Sequence, residues 1–274
     1  FWRIDSIKDK LTLHYVDLFN TAEVENFIIE LKPDIILHFA TYGAYQGKQR
    51  DAKLIVNTNL LGTINLVNAA SKIKFDCFIN TGSSSEYGEK DHPMREDDLL
   101  EPNNLYGVTK AAATMYCQFM AKKMDLPIVT MRLFSPYGYF EEKGRLMPNI
   151  VVAGLRGEKF TAPSPSPTRD FVFIEDVVDA YMKVIVNING IKGHILNIAS
   201  GEQHSIAEVV DAAEKILGRK IEVEYGSIAA KQYEPKMWVA DISKAKKIID
   251  WSPTNSLADG LSKFVAWAKN NPIK

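Results

Sequence analysis

The chain has 274 residues, 46% hydrophobic and 24% charged, with a formal net charge of -1 and a pI near 6.6. This is the make-up of a globular protein, and its balanced charge leaves no electrostatic footprint for nucleic acid or an anionic membrane. No apolar run approaches the ~18 residues of a membrane span, and two cysteines, Cys77 and Cys117, cannot build a disulfide framework. Buried free thiols in a reducing cytoplasm are expected.

The opening FWRIDSIKDK is polar and does not read as a signal peptide. LTLHYVD (11–17) alternates as a strand, and NTAEVENFIIELK follows as a helix opened by Asn20 with Glu23 three residues on. PDIILHFA (33–40) predicts a short buried strand, AKLIVNTNLLGTINLVNAASK a long helix, and FDCFINTGSSS a second buried strand. After the EKDHPMREDD charge run, expected to be a solvated loop, NNLYGVTKAAATMYCQFMAKK is helical by periodicity and PIVTMRLFSPYG is a further strand. Short buried strands separated by helices predict βαβ units, a parallel sheet covered on both faces, and ligands at the strand C-terminal ends.

Beyond that point RLMPNIVVAGLRG predicts a helix and RDFVFIEDVVDAYMKVIV a strand running into a helix. TAPSPSPTRD is expected to be a pinned surface loop. SIAEVVDAAEKILG carries a Ser205/Glu208 capping box, and DISKAKKIIDW and SLADGLSKFVAWAKNN predict the closing helices. His14 and His38 fall within strands, while His92, His194 and His204 are scattered; none has ligand spacing, so no metal site is expected.

The chemistry concentrates at Tyr106 and Lys110, four residues apart and so on one face of their helix. A phenol of pKa ~10 is a poor base at neutral pH, and a nearby ammonium favours the phenolate. Such a tyrosine can take a proton from an alcohol or return one to a carbonyl, the acid/base half of a hydride transfer. The same spacing recurs at Tyr139/Lys143, but in a polar stretch with no preceding strand to deliver a partner. Tyr106 follows the strand FINTG, whose end supplies Ser83, Ser84 and Ser85.

In order, PDIILHFA, NLLGTINLVNAA, FINTGSSSEYG, LYGVTK, MRLFSPYG, RDFVFIEDVVDAY and VADISKAKKIIDW cover nearly the whole chain. This series resembles the extended short-chain dehydrogenase/reductase family, the NAD(P)-dependent nucleotide-sugar epimerases, dehydratases and ketoreductases. The resemblance implies an α/β, Rossmann-like doubly wound parallel sheet with a smaller mixed α/β substrate-binding region. Residues 1–140, with a return at 169–200, would form the dinucleotide-binding domain and 141–274 mainly the substrate-binding domain.

By the same resemblance Ser83, four residues before Tyr87, is the catalytic Ser/Thr, Tyr106 the acid/base, and Lys110 lowers its pKa and holds the nicotinamide ribose. Asp17 and Leu18 match the adenine pair, and Phe39, Ala40 and Thr41 line the pyrophosphate and ribose side. Asn59 matches an asparagine near the cofactor, and Leu133 and Phe134 pack the nicotinamide. Ser84, Ser85, Ser135, Arg145, Leu146 and Arg169 face the nucleotide-diphosphate sugar. A guanidinium forks naturally onto a diphosphate, which favours Arg169. The family's arginine before its W-x-A-D segment is replaced here by Lys231 or Lys236. The implied partners are NAD or NADP and a second copy of the chain, paired through helices 53–73 and 104–124.

None of the 16 glycines forms the family's Gly-x-x-Gly-x-x-Gly turn, so the first β-α-β unit is expected upstream of Phe1. The chain alone is then expected to bind NAD(P) weakly, with a sheet edge and apolar helix faces uncovered. The residue that selects NAD or NADP would lie in the same missing stretch. The family's 4,6-dehydratases place an acid directly after the catalytic Ser/Thr; Ser84 and Ser85 stand there, and Glu86 is one place late. Hydride transfer at one sugar carbon, C4, remains, as a 4-epimerase or a 4-ketosugar reductase. A non-catalytic relative that binds a dinucleotide or a partner is the competing class, and it has no need of the Ser83/Tyr106/Lys110 trio.

Overall fold

The structure is a computed structural model that describes residues 2–44, 51–226, 237–271 and 273. In chain order it contains α1 Thr21–Leu31, β1 Ile35–His38, α2 Ala52–Val56, α3 Gly62–Ala70, β2 Cys77–Ser83, α4 Leu105–Met124, β3 Ile128–Leu133 and β4 Ser135–Tyr137. There follow α5 Leu146–Arg156, β5 Phe160–Ala162, β6 Thr168–Phe173, α6 Ile174–Asn187, β7 Ile195–Ile198, β8 Gln203–Ser205, α7 Ile206–Leu217, β9 Val223–Tyr225, α8 Ser243–Ile249 and α9 Leu257–Asn270.

Four strands pair in parallel in the order β1-β2-β3-β7. One face buries Ile36, Phe78 and Ile128 against Val24 and Ile28 of α1, Leu66 and Val67 of α3, and Cys117 and Met120 of α4. The other buries Ile79, Met131 and Leu196 against Val177, Ala180 and Val184 of α6, with Ala245, Ile249 and Trp251 from the α8 region. Helices on both faces make the sheet doubly wound and Rossmann-like, which also accounts for the near-continuous apolar strand sequences. A third core packs α5, α7 and α9 around Phe160, Phe171 and Phe173. Beside it lie the small sheets β4-β6-β8 and β5-β9.

Local signals act as expected where they are self-contained. Asn20 caps α1 by accepting from the Glu23 amide at 3.3 Å, and Ser205 and Glu208 cap α7 reciprocally. The Pro-rich loop is pinned: the Pro167 and Pro165 carbonyls accept from the Ile206 and Ala207 amides at the start of α7.

Four expectations need correction. Residues 11–17 are not a strand, because a strand needs a ladder partner and none is present among the described residues; Leu11, Leu13 and Tyr15 are left exposed. His14 accordingly lies outside any strand, its ring 4.9 Å from that of Phe27. The long helix from Ala52 is interrupted by a π turn at Asn57–Leu61. The strand from Ile128 breaks at Phe134, so that Ser135–Tyr137 leaves the parallel sheet to pair with β6. The charge run is not simply solvated: Met94 is fully buried and bridges to Ala240, and Glu96 accepts from the Asn197 amide at 2.8 Å.

No described helix is long and apolar enough to cross a membrane. Among the described residues no group of three His, Cys, Asp or Glu side chains converges as a metal site would. Both cysteines are buried and free.

His38, at the end of β1, sits 3% exposed with Nε2 2.9 Å from the Thr63 hydroxyl, which itself donates to the Asn59 carbonyl. Its Nε2 is therefore the donor. Burial pushes its pKa down from 6.5 to about 4, with the Lys110 charge adding to the effect. The unfolded chain binds this proton more readily, so the group's stabilisation is full above pH 6.5 and is lost as pH falls toward 4. The shift corresponds to about 3 kcal/mol. Urea denaturation across that range is expected to show a flatter acid limb for His38→Asn than for the wild type; parallel limbs would refute the assignment.

Candidate active site

The C-terminal end of β2 runs straight into a 3-10 turn, Ser84–Glu86, and the start of α4 presses against that turn. Asn104 caps α4 by accepting from the Gly107 amide at 2.9 Å. Gly107 permits the approach, since a Cβ there would stand 2.3 Å from the Ser85 carbonyl oxygen. Tyr106 and Lys110, 9% and 2% exposed, are thereby carried beneath the end of β2 beside Ser83, which is 8% exposed.

The Ser83 and Thr41 hydroxyls lie close enough to the Tyr106 phenol to act on its ionisation. Burial pushes it above its ordinary value of 10, the two hydroxyls and the Arg145 charge pull it down, and the Glu86 charge pushes it up. Lys110 donates its ammonium to the Thr81 carbonyl. Burial lowers its pKa, while the Glu86 charge favours the ammonium. Burial outweighs the charges near the phenol, of which Arg145 pulls its pKa down and Glu86 pushes it up. Arg145 stands immediately before α5 and pairs with Glu141 at 2.9 Å; burial pushes the Glu141 carboxyl up to about 7 against that pairing. Leu146 opens α5 directly after it.

The other expected residues divide into four groups. Phe39 is 56% exposed at the end of β1 with its ring 5.2 Å from Tyr181, and Ala40 and Thr41 continue from it. Leu133 and Phe134 end β3, the Phe134 ring lying 6.3 Å from Tyr87, and Ser135 opens β4. Ser84 accepts from the Trp238 indole at 3.2 Å, and the Arg169 guanidinium lies 5.6 Å from the centre of that indole. Asp17 and Leu18 stand apart, against α3: the Leu18 carbonyl accepts from Asn65 at 2.9 Å, and Asp17 accepts from the Phe19 amide.

Asn59 is engaged within the protein. Its oxygen accepts from the Tyr42 amide at 2.8 Å and the Thr41 hydroxyl at 3.3 Å, and its nitrogen donates to the Tyr42 carbonyl at 2.9 Å and the Thr109 hydroxyl at 3.1 Å. All its hydrogen-bonding capacity is used within the protein, so it clips the loop after β1 to α4. It sits in the π turn, a device that often marks functional sites. Lys231 and Lys236 lie outside the described residues.

Two residues escaped the sequence reading. Trp238 comes from far along the chain and could have been noticed only as an aromatic in the W-x-A-D segment. Glu86 read as a displaced acid; instead of facing out from a strand end it is buried and ion-paired with Arg132 at 2.8 Å.

The donor set suits the nicotinamide riboside half of a dinucleotide. An ammonium and a phenol on α4 lie beside the end of β2, and Leu133 and the exposed Phe39 offer apolar surface for a flat ring, while Phe134 is buried behind them against Tyr87. Such a polar pair beside an apolar wall, with the phenol paired to two hydroxyls, can bind an alcohol oxygen and move its proton.

A family model described as NAD dependent epimerase/dehydratase family matches residues 2–199. An uncharacterized UDP-glucose epimerase of Bacillus subtilis is 31% identical over 210 residues, which are 76% of this chain and 66% of that relative's length. The UDP-glucuronate 4-epimerase of Thermodesulfobacterium geofontis is 25% identical over 99% of this chain and 84% of its own. The crystal structure of the Bacillus cereus UDP-glucuronic acid 4-epimerase in complex with UDP-glucuronic acid and NAD superposes with a TM-score of 0.87 at 30% identity. That match covers 97% of this chain and 85% of the other.

The approach of α4 to the serine turn is sterically demanding. Gly107→Ala is expected to cost about 2 kcal/mol in chemical denaturation, as overpacking does. Gly190→Ala, where an added Cβ meets nothing within 4 Å, should stay within about 0.5 kcal/mol of wild type. Equal costs at the two positions would show that the close contact is not a constraint.

Proposed function

The chain belongs to the NAD-dependent epimerase/dehydratase family, and from that premise we propose that it is a nucleotide-sugar 4-epimerase acting on a UDP-sugar. The observation that supports this most is the buried Tyr106 phenol set close to the Ser83 hydroxyl, with the buried Lys110 one helical turn away. The relatives' activities on UDP-glucose and UDP-glucuronate support the substrate class.

In this reading Ser83 and Tyr106 bind the C4 hydroxyl, and Tyr106 accepts its proton as the carbon is oxidised. NAD, when bound, would supply the hydride acceptor for that oxidation and the hydride donor for the return to the opposite face of C4. Tyr106 then gives the proton back to the new alkoxide, so atoms and electrons balance with no net redox change. Lys110 would hold the nicotinamide ribose, and Thr41, on the loop clipped by Asn59, orients the phenol. Leu133 and Phe134 would wall the nicotinamide, with Phe39 and Ala40 toward the pyrophosphate and Asp17 and Leu18 toward the adenine.

Arg145 and Arg169 would face the diphosphate, with Ser84, Ser85, Ser135 and Leu146 along the sugar nucleotide. Glu86 is turned into the core, so the described turn offers no carboxylate for water elimination, which favours epimerisation over dehydration. Residues 1–140 with the return at 169–200 would hold the dinucleotide, and 141–274 mainly the sugar nucleotide. The two buried thiols fit a cytoplasmic setting.

In the full-length protein with NAD, UDP-glucose or UDP-glucuronate is expected to convert to its C4 epimer. Tyr106→Phe should lower kcat by roughly 1,000-fold, within the range of a lost acid/base group. Unchanged turnover would refute the reading.

Leu54 on α2 and Val108, Met115 and Phe119 on α4 stay exposed, and they support a homodimer through these helices. A charge at the centre of that stripe, Met115→Glu, should give monomers in analytical ultracentrifugation. A dimer unaffected by it would place the interface elsewhere.

A further inference from the structure

No part in the reaction follows for Glu86 from its position in the chain. Its side chain is 0% exposed and that of its partner Arg132 is 2% exposed, the most enclosed ion pair among the described residues. Donors on three elements converge on the carboxylate. Oε1 accepts from the Ser83 amide at the end of β2, at 2.8 Å, and from the Thr114 hydroxyl on α4, at 3.0 Å. Oε2 accepts from Arg132 Nε on β3, at 2.8 Å. Gly82 leaves room for the group: a Cβ there would stand 2.7 Å from Glu86 Oε1 and 3.2 Å from Arg132 Cγ. The Tyr87 ring covers the guanidinium at 4.5 Å.

Thr114 lies two i,i+4 steps along α4 from Tyr106, with Lys110 between, so the carboxylate grips the stripe that carries the acid/base pair. For stability alone, an ion pair this deep is commonly matched or bettered by apolar side chains of similar volume. What apolar atoms cannot do is accept hydrogen bonds in fixed directions from both sides of the site.

We propose that Glu86 is a positioning residue for the Ser83–Tyr106 pair, clamping the end of β2 to α4 and β3 so that the Ser83 hydroxyl stays aimed at the phenol. The inference rests on the acid/base role proposed for that pair. Glu86 touches no substrate itself. Its charge also favours the ammonium form of Lys110, against the burial that disfavours it.

Two double variants of the full-length protein separate positioning from stability. Glu86→Gln/Arg132→Met removes both charges but keeps an amide oxygen for the Ser83 and Thr114 donors; Glu86→Met/Arg132→Met removes the acceptor as well. Both are expected to fold. The Met/Met protein should lose roughly 30–100-fold in kcat with KM within about threefold, as small misplacements of reacting groups do. The Gln/Met protein should retain kcat within about fivefold.

Hydrogen exchange at the Ser83 amide, measured without substrate, should be about tenfold faster or more in Met/Met and near wild type in Gln/Met. Should Met/Met fail to fold, Thr114→Val removes one leg of the clamp and should lower kcat about fivefold at unchanged KM. Wild-type kcat in Met/Met, or equal losses in both folded variants with an unchanged Ser83 amide, overturns the proposal. A wild-type protein that turns over no nucleotide sugar refutes the proposed reaction instead, and the clamp is then judged by amide exchange alone.

Discussion

A phenol and an ammonium are drawn out of water together beneath the end of β2, and burial pushes each toward its uncharged form. Groups so placed are costly unless their hydrogen bonds are complete. The surrounding structure supplies the partners: the Ser83 and Thr41 side chains for Tyr106, the Thr81 carbonyl for Lys110, and the Arg145 and Glu86 charges at a greater distance. Several otherwise arbitrary features follow from this one demand. Gly82 and Gly107 are small because a carboxylate and a helix must come close, and the Asn104 cap fixes where α4 begins.

The sheet gives the site its rigidity and the loops give it its breadth. Ser83 and Leu133 end neighbouring strands in register, so the serine turn and the β3–β4 break open on the same edge. Asn59 ties the loop after β1 to α4, and Trp238 ties a distant segment to Ser84. Asp170 adds a second anchor to that segment: buried, it accepts from the Ser200, Gly201 and Ala240 amides. The catalytic groups of the proposed reaction therefore sit on β2 and α4, while the groups proposed to meet the sugar nucleotide come from the serine turn and from the starts of β4, α5 and β6.

Much of this was readable from the chain because the governing signals are local. Caps at Asn20 and Ser205 and the Tyr106/Lys110 spacing involve residues within one helical turn. The short apolar strands announced a parallel sheet by pattern alone. What failed depended on partners distant in sequence. Residues 11–17 have the alternation of a strand but no described ladder to join. The break at Phe134 is set by pairing between β4 and β6, which no window around Ser135 reveals. Glu86 looked like a misplaced acid because its partner Arg132 lies 46 residues on. The four internal hydrogen bonds of Asn59 likewise cannot be seen from its neighbours in sequence.

The central claim is that the proton handled by Tyr106 accompanies a hydride that leaves and re-enters the same sugar carbon. The direct measurement is isotopic: UDP-glucose carrying deuterium at C4 is turned over in ordinary water, and the C4 epimer is examined by NMR and mass spectrometry. The account predicts that the deuterium is retained at C4 of the product and that turnover is slowed relative to unlabelled substrate. Product that has exchanged its C4 deuterium for solvent hydrogen would contradict it, since inversion would then proceed by proton removal from carbon.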